Sequence, residues 1–283
     1  MFKHTTRPQE RPRRISLVAA AVLIVAAFAF AACGDSDGSS APPSPSPTAS
    51  TISYSRVIEL SQTISPDMPL WPGDPEVVFD VVATMDKDGY YLRGFTIGEH
   101  SATHMNAPNS FVADSTEAIT SYTAEERVVP AVVIDASAEC ATNADYELTR
   151  QDVLDWEAEN GEIEPGSVVL MLTGWEDKWD DPKAFMNLDA SGNPHFPGFA
   201  GATTEWLLSE RQIAGVGIDT HGVDPGVDTS YATNTAMAEN HKIALECLGH
   251  LDELPPAGTT LVLGALQLQD GSGTPLSVIA LAP

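Results

Sequence analysis

Two histidines four residues apart carry the clearest chemical signal in this sequence. His100 and His104 are two of seven histidines, and Asn106 follows two residues later. On one turn of helix, or in a tight loop, this spacing lets both imidazoles face one metal ion, and the amide adds an oxygen donor. Histidine pairs also arise by coincidence, so the spacing alone leaves both interpretations open. No glutamate stands where a zincin helix needs one, which excludes that class of protease.

Other catalytic templates are missing. The sequence has no G-x-S-x-G nucleophile elbow, no P-loop and no G-x-G-x-x-G motif after a strand. Cys140 and Cys247 lack C-x-x-C partners, and the sequence leaves open whether they pair or stay as separate thiols.

Net charge limits the partners. The 283 residues include 14 Lys and Arg against 40 Asp and Glu, which gives a formal charge of −26. Such a chain repels phosphate backbones and anionic lipid surfaces. We therefore expect a small-molecule substrate, no nucleic-acid partner, and membrane contact only through an anchor.

The elements that must position the histidines alternate between strands and helices. Strands are predicted at residues 56–60, 76–85, 90–98, 128–134, 167–172, 214–219, 259–268 and 276–281. Helices are predicted at residues 148–159, 203–212 and 236–250, the first with Thr149 as its N-cap. This alternation favours a single α/β domain over residues 53–283.

The first 52 residues carry an export pattern. A basic segment is followed by an apolar run over residues 15–32, which ends in Ala31-Ala32-Cys33. This order resembles a bacterial lipoprotein signal, and the resemblance implies cleavage before Cys33 and lipidation of that cysteine. We expect a signal peptide over residues 1–32, a Pro/Ser-rich linker over 33–52, and a protein anchored by lipid to the outer face of a bacterial membrane. An uncleaved transmembrane anchor is the alternative.

The segment from His100 to Phe111 resembles the metal motif H-x-G-T-H-x-D-x-P-x-H of the cyclase superfamily, the group of kynurenine formamidase-like and isatin hydrolase-like enzymes. Further similar motifs follow in order at residues 58–61, 64–69, 71–75, 172–175, 196–198, 215–220, 224–225, 251–255 and 271–275. The resemblance implies a mixed α/β fold of the swivelling β/β/α type, assembled as a homodimer or homotetramer. It also implies hydrolysis of an amide or lactam C–N bond with a bound Zn²⁺ or Mn²⁺.

Carried over position by position, the match is incomplete. His100 and His104 occupy the metal-histidine positions, and Glu246 occupies the later carboxylate ligand position. The departures are Ala102 for the motif glycine, Asn106 for the aspartate, Ser110 for the last motif histidine (a proposed acid/base), and Asn234 near a histidine that binds a second metal. With Asn106 as a neutral ligand, this set carries a charge of about −1, which suits one divalent ion rather than two.

Three more residues are candidates for catalysis or substrate binding. His221 follows a predicted strand, and we interpret it as a general base or third nitrogen ligand, with an exposed loop histidine as the alternative. Trp71 and Trp175 lie in family motifs and suit a flat aromatic or lactam ring, with core packing as the alternative. Glu99 either supports His100 or is simply an exposed acid.

Three functions remain open. The first is a hydrolase of a small amide, lactam or ester that uses one Zn or Mn ion. The second is a lipid-anchored binding or sensor protein on a decayed site, suggested by Asn106, Ser110 and Asn234. The third is a related metal-assisted lyase or cyclase.

Overall fold

An eight-stranded sheet forms the centre of the computed structural model, which describes residues 51–283. In sheet order the strands are β1 (Arg56–Glu59), β12 (Gly273–Ala282), β11 (Thr259–Ala265), β5 (Val128–Asp135), β7 (Val168–Leu172), β9 (Gly215–Ile218), β10 (Ile243–Glu246) and β4 (His104–Asn106). Strand β4 also pairs with the start of β12, so the sheet closes into a barrel and leaves β1 outside the ring. The predicted signal peptide, Cys33 and nearly all of the predicted linker lie outside the described residues.

Shorter elements surround this barrel. Strand β2 (Val78–Ala83) pairs with β3 (Leu92–Thr96), and β6 (Glu147–Leu148) pairs with β8 (Gly198–Phe199). The helices are α1 (Met85–Asp88), α2 (Ser137–Cys140), α3 (Arg150–Asn160), α4 (Pro182–Met186), α5 (Gly201–Trp206) and α6 (Ala232–Glu239); α5 continues into a π-helical turn, Leu207–Arg211. Within residues 51–283, every helix is too short or too polar to cross a membrane.

The sheet separates two hydrophobic cores. Strands β5, β7, β9 and β10 run parallel, and their side chains point alternately to opposite faces. On β5, Val129, Ala131 and Val133 join one core, whereas Val132 and Ile134 join the other. The second core also contains side chains from α3 and α6, so these helices cover that face of the sheet. The α/β prediction is confirmed.

Most of the predicted elements are present, with small shifts of their ends. Thr149 caps α3 as predicted, and Asp152 completes a reciprocal capping box with it. Cys140 and Cys247 are buried free thiols.

The predicted helix over residues 236–250 is wrong. Helix α6 ends at Glu239, and the chain then forms β10. Residues Ile243–Leu245 pair in parallel with β9 and are buried. Pairing between strands therefore overrides the helical spacing of the apolar residues.

Replacement of Gly215 by alanine is expected to destabilise the fold by about 3 kcal/mol. Gly215 lies opposite Ile243 in the β9–β10 pair, and an added Cβ would lie 2.6 Å from the Cβ of Ile243. At Ile243, neither the backbone nor the β-branched side chain can move away without separating the two strands. Denaturant unfolding measures the loss, and Gly94→Ala on β3 is the control because its added Cβ meets only Val82, at 3.7 Å. Equal stability of both variants would contradict this account.

Candidate functional site

Strand β4 brings the predicted metal-binding residues together. It lies between β10 and β12, and its first residue, His104, is directly opposite Glu246. His100 lies in the turn before β4, so the one-turn-of-helix alternative is wrong and the tight-loop alternative holds. Within this turn Ala102 has a φ of 55°, a left-handed conformation that the motif glycine would adopt without strain. The turn places the rings of His100 and His104 5.4 Å apart.

These residues line a cavity of about 420 Å³. Its walls are formed by Trp71, Asp74, His100, His104, Asn106, Asn109, Ser110, Phe111, His221, Tyr231, Asn234, Glu246 and Ser272. A second cavity of the same volume lies beside α3 and is lined by several acids, but it contains no unpartnered buried polar atom among the described residues. The first cavity is therefore the candidate active site.

His104 and Glu246 form the centre of this site. The Nδ1 of His104 lies 2.8 Å from the carbonyl oxygen of Ala102, which only accepts hydrogen bonds, so Nδ1 carries a proton. The other ring nitrogen, Nε2, lies 2.9 Å from Oε2 of Glu246. Burial acts to raise the pKa of Glu246, but hydrogen bonds from His104, Asn234 and the Val223 amide lower it to about 2, so this carboxylate is ionised. A cation, either a proton or a metal ion, must therefore lie between the two atoms.

An amide pair occupies the positions of the missing ligands. Asn234 donates through Nδ2 to Asp224 and to Glu246, each at 3.0 Å, which fixes its orientation. Its Oδ1 then accepts from Nδ2 of Asn106 at 2.9 Å, and Oδ1 of Asn106 faces Nδ1 of His100 at 2.8 Å. Asn106 and Asn234 are thus satisfied by each other and by charged neighbours.

Asp224 is a supporting residue that the sequence did not single out. Its carboxylate accepts from the backbone amides of Thr233 and Asn234 at the start of α6, and from the Asn234 side chain. Burial raises the pKa of Asp224 to about 6, although these hydrogen bonds oppose the shift. Asp224 therefore fixes the orientation of Asn234.

Ser272, just before β12, connects His100 to Glu99. Its hydroxyl lies 2.9 Å from Nε2 of His100 and 2.7 Å from Oε2 of Glu99, which also accepts from the Ser272 amide. Glu99 is therefore half-buried and supports His100; the interpretation as an exposed acid is wrong. Ser110 lines the cavity, but its hydroxyl donates to the Ser272 carbonyl, so it supplies no proton to the cavity in this arrangement.

His221 is 5% exposed, so the interpretation as an exposed loop histidine is wrong. Its Nε2 is buried without a hydrogen-bond partner in the cavity wall. Burial, and secondarily His104, lowers the pKa of His221 to about 4, so its imidazole is neutral at neutral pH. A neutral, unpartnered ring nitrogen suits a base or a metal ligand.

The two candidate tryptophans lie in different environments. Trp71 lines the cavity with its ring 5.3 Å from that of His221. Trp175 is 3% exposed, packs in a core with Phe185, and donates through Nε1 to the Phe185 carbonyl at 2.8 Å. Because Trp175 does not line the cavity, its assignment to substrate binding is corrected to core packing.

Asp74 is another residue of the site that sequence reasoning missed. Five buried side-chain atoms among the described residues lack a partner, and three of them line this cavity: Asp74 Oδ2, Asn109 Oδ1 and His221 Nε2. Burial raises the pKa of Asp74, whereas the nearby His100 and His104 act to lower it. The only sequence signal was its place in the Trp-Pro-Gly-Asp-Pro motif at residues 71–75.

The cavity contains donor atoms of the kinds that bind a divalent ion, but among the described residues they do not form a complete metal-binding set. The contact between His104 Nε2 and Glu246 Oε2 requires a proton or a metal ion, and His221 Nε2 has no hydrogen-bond partner within residues 51–283. His100 and Asn106 can join only if they give up their mutual hydrogen bond. Among residues 51–283 there is no cluster of three or more His, Cys, Asp or Glu side chains arranged to hold a metal. A second ion would lack the bridging anion that it requires.

Comparison with known proteins gives consistent results. A family profile described as "Putative cyclase" matches residues 58–225. Isatin hydrolase of Roseibium aggregatum is 32% identical over 243 residues, which is 80% of this chain and 92% of that protein. Kynurenine formamidase of Erythrobacter litoralis is 27% identical, covering 77% of this chain and 90% of that protein. The crystal structure of an isatin hydrolase bound to the product analogue thioisatinate superposes with a TM-score of 0.75 at 31% identity, covering 80% of this chain and 92% of that one. The expected mixed α/β fold is confirmed.

Proposed function

The chain belongs to the cyclase family, a family with hydrolase members, and we propose that it hydrolyses the C–N bond of a small amide or lactam with one divalent ion, Zn²⁺ or Mn²⁺. The observation that carries this proposal is the His104–Glu246 pair, in which a buried ring nitrogen faces an ionised carboxylate in a cavity that His100, Asn106 and His221 also line. His104 and Glu246 would hold the ion, joined by His100 and Asn106.

The bound ion would supply polarisation of the substrate carbonyl and a lower pKa for water. His221 supplies the base: its neutral Nε2 can accept one proton from the attacking water. Trp71 offers an aromatic face to a flat substrate, and Asn234 and Ser110 complete the walls. Ser110 and Asn234 thus shape the cavity, and their direct participation in catalysis stays a prediction.

A lactam fused to an aromatic ring is the substrate class that we favour. The two hydrolases compared above are named for isatin, a lactam, and for a formylated kynurenine, an aryl formamide. The cavity, at about 420 Å³, has room for a bicyclic ring, and Trp71, Phe111 and Tyr231 give it aromatic walls.

The proposal is tested with the purified chain, isatin and N-formylkynurenine. We expect about one bound zinc or manganese per chain and hydrolysis of at least one compound, lost with a chelator and restored by metal. Metal bound without hydrolysis of either compound would favour the binding-protein alternative, for which the mutually satisfied Asn106–Asn234 pair is the specific support. A product without added water would favour the lyase or cyclase alternative.

Location and assembly are part of the proposal. The basic, apolar and Ala-Ala-Cys33 sequence supports an exported protein with a lipid on Cys33. The β2–β3 ribbon supports a homodimer or homotetramer, because it exposes large apolar side chains: Val81, Val82, Tyr91, Leu92 and Phe95.

A further inference from the structure

The turn from Trp71 to Asp74 places an aromatic ring and a carboxylate in the wall of the same cavity. The Asp74 amide donates to the Trp71 carbonyl at 3.0 Å, which closes the turn. Both side chains line the cavity, yet Oδ2 of Asp74 is buried without a hydrogen-bond donor. A buried carboxylate oxygen without a donor is costly, so its retention calls for an explanation.

The proposed metal site does not provide this explanation. Neither His100 nor His104 donates a hydrogen bond to Oδ2 of Asp74, although both act to lower its pKa. Asp74 also has no ion pair at salt-bridge distance within residues 51–283. No group within residues 51–283 donates to Oδ2, which leaves a molecule that enters the cavity as the source of the donor.

The substrate class proposed above offers such a donor. An unsubstituted lactam or secondary amide has one N–H at the edge of its plane, beside the bond that is cleaved. A ring lying against Trp71 would keep that edge free to meet an acceptor in the cavity wall. A buried carboxyl oxygen that lacks a donor discriminates between a substrate with the N–H and one without it.

We propose that Asp74 selects substrates with an unsubstituted amide N–H, by accepting a hydrogen bond from that N–H through Oδ2. This inference rests on the proposed function and adds a specificity residue to it. Methylation of the substrate nitrogen removes the donor and places a methyl group against the carboxylate, so such compounds should be poor substrates.

The test compares isatin with 1-methylisatin in the wild type, Asp74→Ala and Asp74→Asn. We expect the wild type to prefer isatin in kcat/KM by at least about 10-fold, and Asp74→Ala to reduce this preference to within about twofold. Asp74→Asn keeps an uncharged acceptor and should fall between them. The change in this preference between the wild type and a variant is a ratio of ratios, so the intrinsic reactivities of the two compounds cancel in it. Asp67→Ala, at an exposed position in the same segment, is the control and should keep the full preference.

Binding of both compounds is measured by calorimetry alongside hydrolysis, and metal content is measured for each variant. If the wild type binds isatin but hydrolyses neither compound, the proposed function fails, and the binding preference still tests Asp74. An unchanged preference in both Asp74 variants would overturn the inference. Loss of bound metal in Asp74→Ala would also overturn it, since Asp74 would then be a ligand.

Discussion

Replacement of His104 by alanine is expected to abolish binding of the proposed divalent ion and to lower kcat/KM by at least about 10³-fold. His104 is 1% exposed, and its protonated Nδ1 is held by the Ala102 carbonyl, so only Nε2 can face the cation. The variant also removes the His104 interaction that lowers the pKa of the buried Glu246, so burial should raise that pKa. Metal analysis after dialysis and steady-state kinetics measure both effects.

The contrast with His221→Ala makes this prediction specific. If His221 is the general base, the His221→Ala substitution should lower kcat by about 10²- to 10⁴-fold, but the ion should stay bound. Loss of metal in His221→Ala would identify it instead as the third nitrogen ligand. His104→Gln keeps more of the buried side-chain volume and therefore tests whether His104→Ala acts through unfolding. His250→Ala, which removes an exposed histidine, is the control. Metal retained by His104→Ala and His104→Gln would contradict the site.

The local sequence predicted most of the fold but not the pairing around the site. Helix α3 was predictable because its capping box lies within four residues. Strand β10 was not, because its four residues carry helical spacing and are strands only through β9 and β4, which are remote in sequence. Glu246 nevertheless lines the same cavity as His104, and its motif position did not depend on the local structure.

The chemistry-bearing residues were predictable in type, and their partners were not. Trp71 and Trp175 both lie in motifs, yet only their three-dimensional neighbours separate a cavity wall from a core. Asp74 shares a motif with Trp71, but its significance is an unpartnered oxygen, which no sequence pattern reports. The Asn106–Asn234 hydrogen bond joins residues 128 positions apart. The sequence therefore showed two separate departures from the family's metal ligands, and not that the two asparagines pair with each other.

That matched change leads to the second large expected effect, on the pair Asn106→Asp and Asn234→His. Asn106→Asp alone should raise metal affinity at least about 10-fold, since an anionic oxygen replaces a neutral one. It should also cost the metal-free protein about 2 kcal/mol, because the new carboxylate faces Oδ1 of Asn234. Asn234 cannot turn round, since both hydrogens of its amide are held by Asp224 and Glu246.

Adding Asn234→His should recover that stability and raise the metal content from one ion per chain towards two. In the metal-free protein, the introduced histidine donates a hydrogen bond to the introduced carboxylate. When metal is added, the histidine restores the second-ion position implied by the family resemblance, and the carboxylate supplies the bridging anion. Denaturant unfolding in chelator gives the coupling between the two sites by a double-mutant cycle. Titration with zinc or manganese gives affinity and stoichiometry. Asn143→Asp, which adds a charge at an exposed position, is the control and should change neither. Additive stabilities with no gain in affinity would mean that Asn106 and Asn234 do not act as a pair at the metal site.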